Sequence, residues 1–285
     1  MKNKKITETD IDNIITESFL YKRLRLLALT KFKYNGLDEL MLEERHIEKY
    51  LFDKGKALWF NDKDNGLMCL PCQGLGVNVY GDPTRYRAVG FGYSKEYKVE
   101  DCVLMENNKL RMPTADIVTY FTKQLYEIVR TRDVNVKTLK LPFLLATTDK
   151  EVFTVKNILK QIDENVHAVI TNKNVINLED IIKVLPTGVR PYTAELTDLY
   201  HDVLNECLTY LGINNANTDK KERLITDEAN ANNQFIDSCT EMFLESRQRA
   251  VEEINKKFGT NITVELRTEK EVQDNAIKPI QELVT

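Results

Sequence analysis

The chain has 285 residues, a formal net charge of -4 and an isoelectric point near 5.6. That length admits one large domain or two modest ones, and the acidic balance argues against a protein that grips nucleic acid strongly through general charge. Five cysteines, an odd number in a long chain, argue against a disulfide framework. MKNKKITETD carries positive charge with no apolar run behind it, so no secretory signal is expected. The longest apolar run, LPFLLA at 141–146, falls far below the roughly 20 residues a membrane helix needs. The expectation is a soluble protein, made in a reducing cytoplasm and without a membrane partner.

Residues 10–33 read as an amphipathic helix, with Ile11, Ile14, Ile15, Phe19, Leu20, Leu24 and Leu27 at spacings of three and four. Residues 38–52 suggest a second helix ending near Gly55. From Ala57 to Met105, short apolar runs (ALWF, GLMCLP, GVNVYGDP, RYRAVGFGY, CVLM) alternate with turn residues, the punctuation of a small barrel or antiparallel sheet. Pro113-Thr114 opens a long helix to about residue 132, carrying the stripe Ile117, Val118, Phe121, Leu125, Ile128 and Val129. Residues 137–190 are mixed: strand-like TLKLPFLLAT and HAVIT flank a helix at 152–162, and a shorter helix spans 178–185. A second long helix covers 193–211 and stops at Gly212. After a polar stretch, a third runs from about 234 to 258, and the alternating TNITVELR at 260–267 reads as a strand. The tail beyond residue 268 reads as polar and helical.

Few motifs carry chemistry. Cys69-Leu70-Pro71-Cys72 is a C-x-x-C inside a strand-rich run, with no second ligand pair at Cys102 or His46 and no helix to activate a thiol. It reads as buried cysteine, with a redox enzyme using Cys69 and Cys72 as the alternative. Gly74, Gly76 and Gly81 lack the spacing and the following helix of a phosphate loop. No catalytic residue, metal site or cofactor is indicated. Glu195, Asp198, Asp202 and Glu206 recur at i, i+3, i+7 and i+11 of the second long helix, within about 80° of one another. Such a face is either an ordinary solvated surface or, in a ring with this side inward, a stack of negative rings that repels phosphate. The polar stretch is long for a structureless loop, and Lys220, Lys221 and Arg223 cluster at its middle.

LGINNANTDKKERLITDEANANNQFIDSC, followed by MFLESRQRAVEEINKKFGTNITVELR, closely resembles the C-terminal part of the upper-collar, or connector, proteins of small short-tailed bacteriophages. These are portal proteins of the picovirus kind. The resemblance is specific over 211–267 and collinear upstream, through NN-x-x-x-x-P-T at 107–114 and the Pro191-Tyr192 pair. It implies an α+β portal fold with long stem helices, a small β-barrel-like wing and a mixed α/β clip, assembled as a dodecameric ring. The implied segments are N-terminal helices and β-rich wing (1–112), first stem helix (113–136), clip (137–190), second stem helix (191–212), channel loop (213–233), and wing helix, strand and tail (234–285).

The family role so implied is a non-enzymatic conduit for double-stranded DNA at the capsid portal vertex, built in the host bacterial cytoplasm and retained in the virion. Implied partners are the packaging ATPase, the major capsid and scaffolding proteins, and the lower collar or tail protein. A tail or adaptor ring is the alternative within this class. Lys220, Lys221 and Arg223 become the expected DNA contacts of the channel loop, and Glu195, Asp198, Asp202 and Glu206 its acidic wall. The sequence departs from some relatives in having no Lys or Arg between Arg190 and Lys220. MKNKK is a weak version of a basic RNA-gripping arm, so no binding of a packaging RNA is claimed.

Overall fold

The computed structural model describes residues 8–38, 40, 42–140, 143–146, 183–186, 190–214 and 226–267. The chain divides into a first unit, Met1–Tyr126 with Asp202–Thr285, and a second, Glu127–His201.

In the first unit, α1 (Glu8–Leu29) ends four residues before the expected limit. The reason is β1 (Phe32–Asn35), which pairs antiparallel with β10 (Thr263–Leu266), Phe32 opposite Leu266 and Asn35 opposite Thr263. Phe32 and Tyr34 are buried on the inner side. α2 (Glu44–Lys54) starts later than expected and stops at Gly55, which adopts φ 71°. A Cβ at Gly55 would sit 2.0 Å from the Arg111 carbonyl oxygen, so close backbone approach as well as the helix stop demands glycine here.

The strand-rich segment forms β2 (Lys56–Asp62), β3 (Gly66–Leu70), β4 (Cys72–Val77), β5 (Pro83–Gly90), β6 (Tyr93–Lys98) and β7 (Cys102–Glu106). These make two three-stranded antiparallel sheets, ordered β3-β2-β7 and β4-β5-β6, rather than a closed barrel. The run GVNVYGDP is mostly turn. Asn78 Oδ1 accepts from the backbone N–H groups of Tyr80 and Asp82, both at 2.9 Å, an Asx-type turn. YSKEYK forms β6, and its inward tyrosines anchor it. Tyr97 and Tyr93 stack on Phe60, with centroids 4.3 Å and 5.8 Å away. Both hydroxyls donate to buried Asp62, which also accepts from Lys95 Nζ at 2.7 Å. The Lys95 hydrogen bond, then that from Tyr93, holds the Asp62 carboxyl well below the ordinary carboxylate range.

The main core lies where β2, β3 and β7 meet α2, the β1–β10 ribbon and α5 (Thr226–Phe258). Ile47, Leu51, Ala57, Trp59, Met105, Ile254 and Ile262 have no solvent exposure. Each large side chain so buried contributes on the order of 1.5–3 kcal/mol. α5 begins eight residues before the expected start at 234, so 226–233 is helical rather than loop. Asp227 and Glu228 favour the positive end of the helix, and Ala229 and Ala231 have high helix propensity.

α3 (Thr114–Lys140) and α4 (Thr193–Tyr210) each begin or end in one unit and finish in the other. α3 starts at the expected Pro113-Thr114 step and runs beyond its expected end. In the second unit β8 (Phe143–Ala146) pairs antiparallel with β9 (Lys183–Pro186), Phe143 opposite Pro186 and Ala146 opposite Lys183. Residues 183–185 are therefore strand, where a helix over 178–185 was expected; a short apolar run before a proline suits either state by pattern alone. HAVIT, the helix expected at 152–162 and the tail beyond 267 lie outside the described residues.

Candidate functional site

α4 carries the acidic face. Its entry is fixed by Asn135 of α3, whose Nδ2 donates to the Arg190 carbonyl at 3.0 Å while its Oδ1 accepts from the Tyr192 N–H at 3.2 Å. Glu195 stands in the first turn, on the favourable side of the helix dipole. Cys207 and Leu211 are buried. Glu195, Asp198, Asp202 and Glu206 are all exposed, and among the described residues none has an ion-pair partner. Leu199 lies about 40° from Glu195 around the helix, which accounts for its 47% exposure despite its place in the apolar pattern. Asp202 and Glu206 belong to the first unit, and Glu195 and Asp198 to the second.

The exit of α4 is clamped. The Ile213 N–H donates to the Leu208 carbonyl at 2.8 Å, and Gly212 takes φ 65°, the closing geometry of a Schellman turn. Lys31 Nζ donates to the Leu211 carbonyl at 2.8 Å, and Thr240 Oγ1 donates to the Gly212 carbonyl at 2.7 Å. A Cβ on Gly212 would lie 2.4 Å from Thr240 Oγ1 and 2.6 Å from Lys31 Nζ. Lys31 is buried between the rings of Phe32 and Phe243, each centroid 5.1 Å from Nζ. Burial first, then the Arg247 charge, pushes its pKa down to about 7, against opposing pulls from Glu48 and Cys239. The polar stretch thus departs from a fixed root. Lys220, Lys221 and Arg223 lie outside the described residues.

The residues that make the sequence resemblance specific meet inside the first unit. Arg247, from FLESR on α5, forms paired hydrogen bonds with Glu48 of α2: Nε to Oε1 and Nη2 to Oε2, both 2.8 Å. Both side chains are 3% exposed. Arg247 also donates to the Asn107 carbonyl oxygen at 3.3 Å and to Asn107 Oδ1 at 3.1 Å. Asn107 Nδ2 in turn donates to the Met112 carbonyl and to Thr114 Oγ1, the first residue of α3. The Tyr34 hydroxyl donates to Glu48 Oε1 at 2.7 Å, and the guanidinium lies 4.1 Å from the Phe32 ring centroid. Burial disfavours the Arg247 charge, and the Glu48 carboxylate together with Tyr34 more than offsets it, so its pKa sits above the ordinary value. NN-x-x-x-x-P-T and FL-SR are thus two halves of one buried clasp that sets where α3 begins. Arg247 and Asn107 could be singled out from the motifs. Lys31, Glu48 and Thr240 carried no sequence signal, because their partners lie 180, 199 and 28 positions away.

Cys69 packs into the main core and Cys72 against the cluster around Phe60 and Tyr86. Both are free thiols. Burial holds the Cys69 thiol well above its ordinary pKa and pushes Cys72 up to about 11. A nucleophilic thiol needs the opposite shift.

The family model described as Phage Connector (GP10) matches residues 4–271. A 161-residue segment is 22% identical to the portal protein of Staphylococcus phage 44AHJD; the match covers 56% of this chain and 64% of that relative, just under two thirds of its length. Among solved structures, a chain of the portal and tail of native bacteriophage P68 aligns over all of both chains at 17% identity with a TM-score of 0.50. A likeness of that kind is one of fold. An HK97 family phage portal protein from Corynebacterium diphtheriae aligns over 92% of this chain and 95% of its own, at 11% identity and a TM-score of 0.45.

Proposed function

The chain belongs to the phage connector family, and on that premise we propose that it forms the portal ring of a short-tailed bacteriophage. In this reading, twelve copies surround a channel at one capsid vertex, through which double-stranded DNA enters during packaging and leaves at ejection. The ring is a conduit and a docking collar, with ATP hydrolysis supplied by a separate packaging ATPase. Capsid and scaffolding proteins meet its outer side, and a lower collar or tail protein its outer end. The virion is its destination.

The observation that carries this reading is the exposed, unpaired acidic face of α4. A conduit must let DNA of any sequence slide. Every strong phosphate contact releases counterions and holds the duplex in place, so a wall facing DNA works best when it repels weakly and traps nowhere. Four carboxylates per copy, repeated around a ring, would supply that repulsion. At physiological salt it reaches only about 8 Å, enough to centre a duplex without blocking the channel. Lys220, Lys221 and Arg223 would be the cations DNA meets first.

The test is particle shape. Purified protein is expected to give rings with a central hole in negative stain, with a native mass about twelve times the 33.0 kDa chain. A monomer at every concentration and salt would sink the reading. Lys220→Ala with Lys221→Ala is expected to leave rings intact while DNA retention falls; loss of rings in this variant would make the loop structural instead.

A further inference from the structure

The buried charges around the clasp do not balance. Lys31, Arg247 and Glu48 are 7%, 2% and 3% exposed, two cations against one carboxylate. Both oxygens of that carboxylate are taken up by Arg247. The remaining guanidinium N–H groups go to Asn107 and to the Phe243 carbonyl, so Arg247 has none left. Lys31 is the cation left over. Its Nζ donates to the neutral Leu211 carbonyl, and among the described residues it has no second hydrogen-bond acceptor and no ion-pair partner. The Phe32 and Phe243 rings attract its charge from 5.1 Å without neutralising it. A cavity of about 20 Å³ adjoins these groups, lined by Lys31, Glu48, Arg247, Asn107, Thr114 and neighbouring apolar residues. One water needs about 10–15 Å³, so a single small species fits. Asn107 is fully engaged: Nδ2 donates to the Met112 carbonyl and to Thr114 Oγ1, and Oδ1 accepts from Arg247. The Thr114 oxygen accepts from Asn107, and its hydroxyl proton has no acceptor among the described residues. Thr114 is also the first residue of α3, the positive end of that helix.

We propose that this cavity binds one small monovalent anion of halide size, chloride being the abundant one, held by the Lys31 ammonium and the Thr114 hydroxyl. The anion supplies the negative charge that the buried set lacks. A buried ion is tolerated when it is paired, and Lys31 has two ways out of its isolation: it sheds its proton, or it gains a counter-ion. Burial and the Arg247 charge on α5 favour the first, and Glu48 on α2 and Cys239 on α5 oppose it. α4 brings only the neutral Leu211 carbonyl to the lysine, and α3 brings a neutral hydroxyl to the cavity. Chloride in the cavity favours the second. Proton and anion then bind together, so chloride is released as pH rises through the Lys31 titration. The bound ion would brace the start of α3 against the exit of α4, because Lys31 already holds the Leu211 carbonyl. This inference stands apart from the ring reading, since every group it uses lies within the first unit of one chain.

Chloride NMR tests this on the folded, full-length chain. At about pH 6.5 the protein is expected to broaden the free chloride line beyond the broadening given by Lys31→Met, and bromide should compete the excess away. Near pH 9, with Lys31 deprotonated, that excess should fall about tenfold. Thr114→Val, which keeps the lysine, should weaken it several-fold. Urea unfolding gives a second readout. At about pH 6.5 and constant ionic strength, replacing gluconate by chloride should raise the unfolding midpoint of the unaltered chain and leave that of Lys31→Met unmoved. Broadening that is equal in the unaltered chain and Lys31→Met would place chloride elsewhere and overturn the proposal. No excess broadening at pH 6.5 would mean that water fills the cavity beside a neutral lysine, which overturns it as well. Should Lys31→Met fail to fold, the pH dependence and Thr114→Val decide: an excess unchanged by both sinks the assignment.

Discussion

The clasp around Arg247 and the acidic face of α4 both hold charged groups, and they have opposite surroundings. Arg247 and Glu48 are each 3% exposed and fully matched by hydrogen bonds. Glu195, Asp198, Asp202 and Glu206 stand in solvent without ion-pair partners among the described residues. A buried charge must be paired, because removing one partner strands the other in a poorly solvating interior. An exposed charge keeps its water and is free to act on something outside the chain. The clasp therefore bears on whether the chain folds, and under the conduit reading proposed above the acidic face would bear on what the folded chain does.

That contrast can be broken. Arg247→Met is expected to cost about 3–5 kcal/mol in urea denaturation, because it leaves Glu48 buried and unpaired. A cost below about 1 kcal/mol would mean that the clasp is incidental. Next comes Gly212→Ala, expected to cost about 1–3 kcal/mol, since it forces a side chain into positive φ against Thr240 and Lys31. A neutral outcome would show that the loop root is loose.

Lys31→Met sharpens the comparison by pH. The unfolded lysine holds its proton to about 10.5, whereas the folded one releases it near 7. The unfolded state then binds more protons between those values, so stability rises with pH from about 7 upward. The penalty of the buried charge is complete below 7. Between pH 7 and 8.5, below the titration of the thiols, the unaltered chain should gain about 1–2 kcal/mol more than Lys31→Met. Equal slopes would remove Lys31 from the account. Smallest in stability is the combined change Glu195→Gln, Asp198→Asn, Asp202→Asn and Glu206→Gln, expected to stay within about 0.5 kcal/mol per site. Its effect should appear instead as DNA sticking to rings at low salt, measured by filter binding. A stability loss rivalling that of Arg247→Met would erase the distinction between the two regions.

Legibility followed the range of the interactions. α3 and α4 could be read closely because Pro113-Thr114, an apolar stripe and Gly212 are local signals. β1 was absorbed into the preceding helix because four residues of alternation are all it offers, and its pairing partner lies 228 positions on. β6 carries no apolar run of its own, since its worth is two tyrosines aimed at Asp62, 31 and 35 positions away. The early start of α5 was hidden by polar residues that are good helix formers at a helix N-terminus. At the candidate site, the acidic spacing of α4 was plain from periodicity. The clasp was present only as scattered motif letters, since nothing local says that Arg247 binds a carboxylate 199 positions earlier.

The β1–β10 ribbon also sets a timetable for making the protein. Phe32–Asn35 leaves the ribosome early, yet its partner Thr263–Leu266 comes 228 residues later. At bacterial speeds of 5–20 residues per second, that is a wait of roughly 10–45 s. Through that interval the nascent chain carries an unpaired strand edge with Phe32 and Tyr34 uncovered, open to strand addition by neighbours on the same message. The segment 127–201 is meanwhile complete and free to fold. Crowded synthesis on one polysome would therefore hazard this protein chiefly through its first strand, and chaperone protection would matter most until Leu266 emerges.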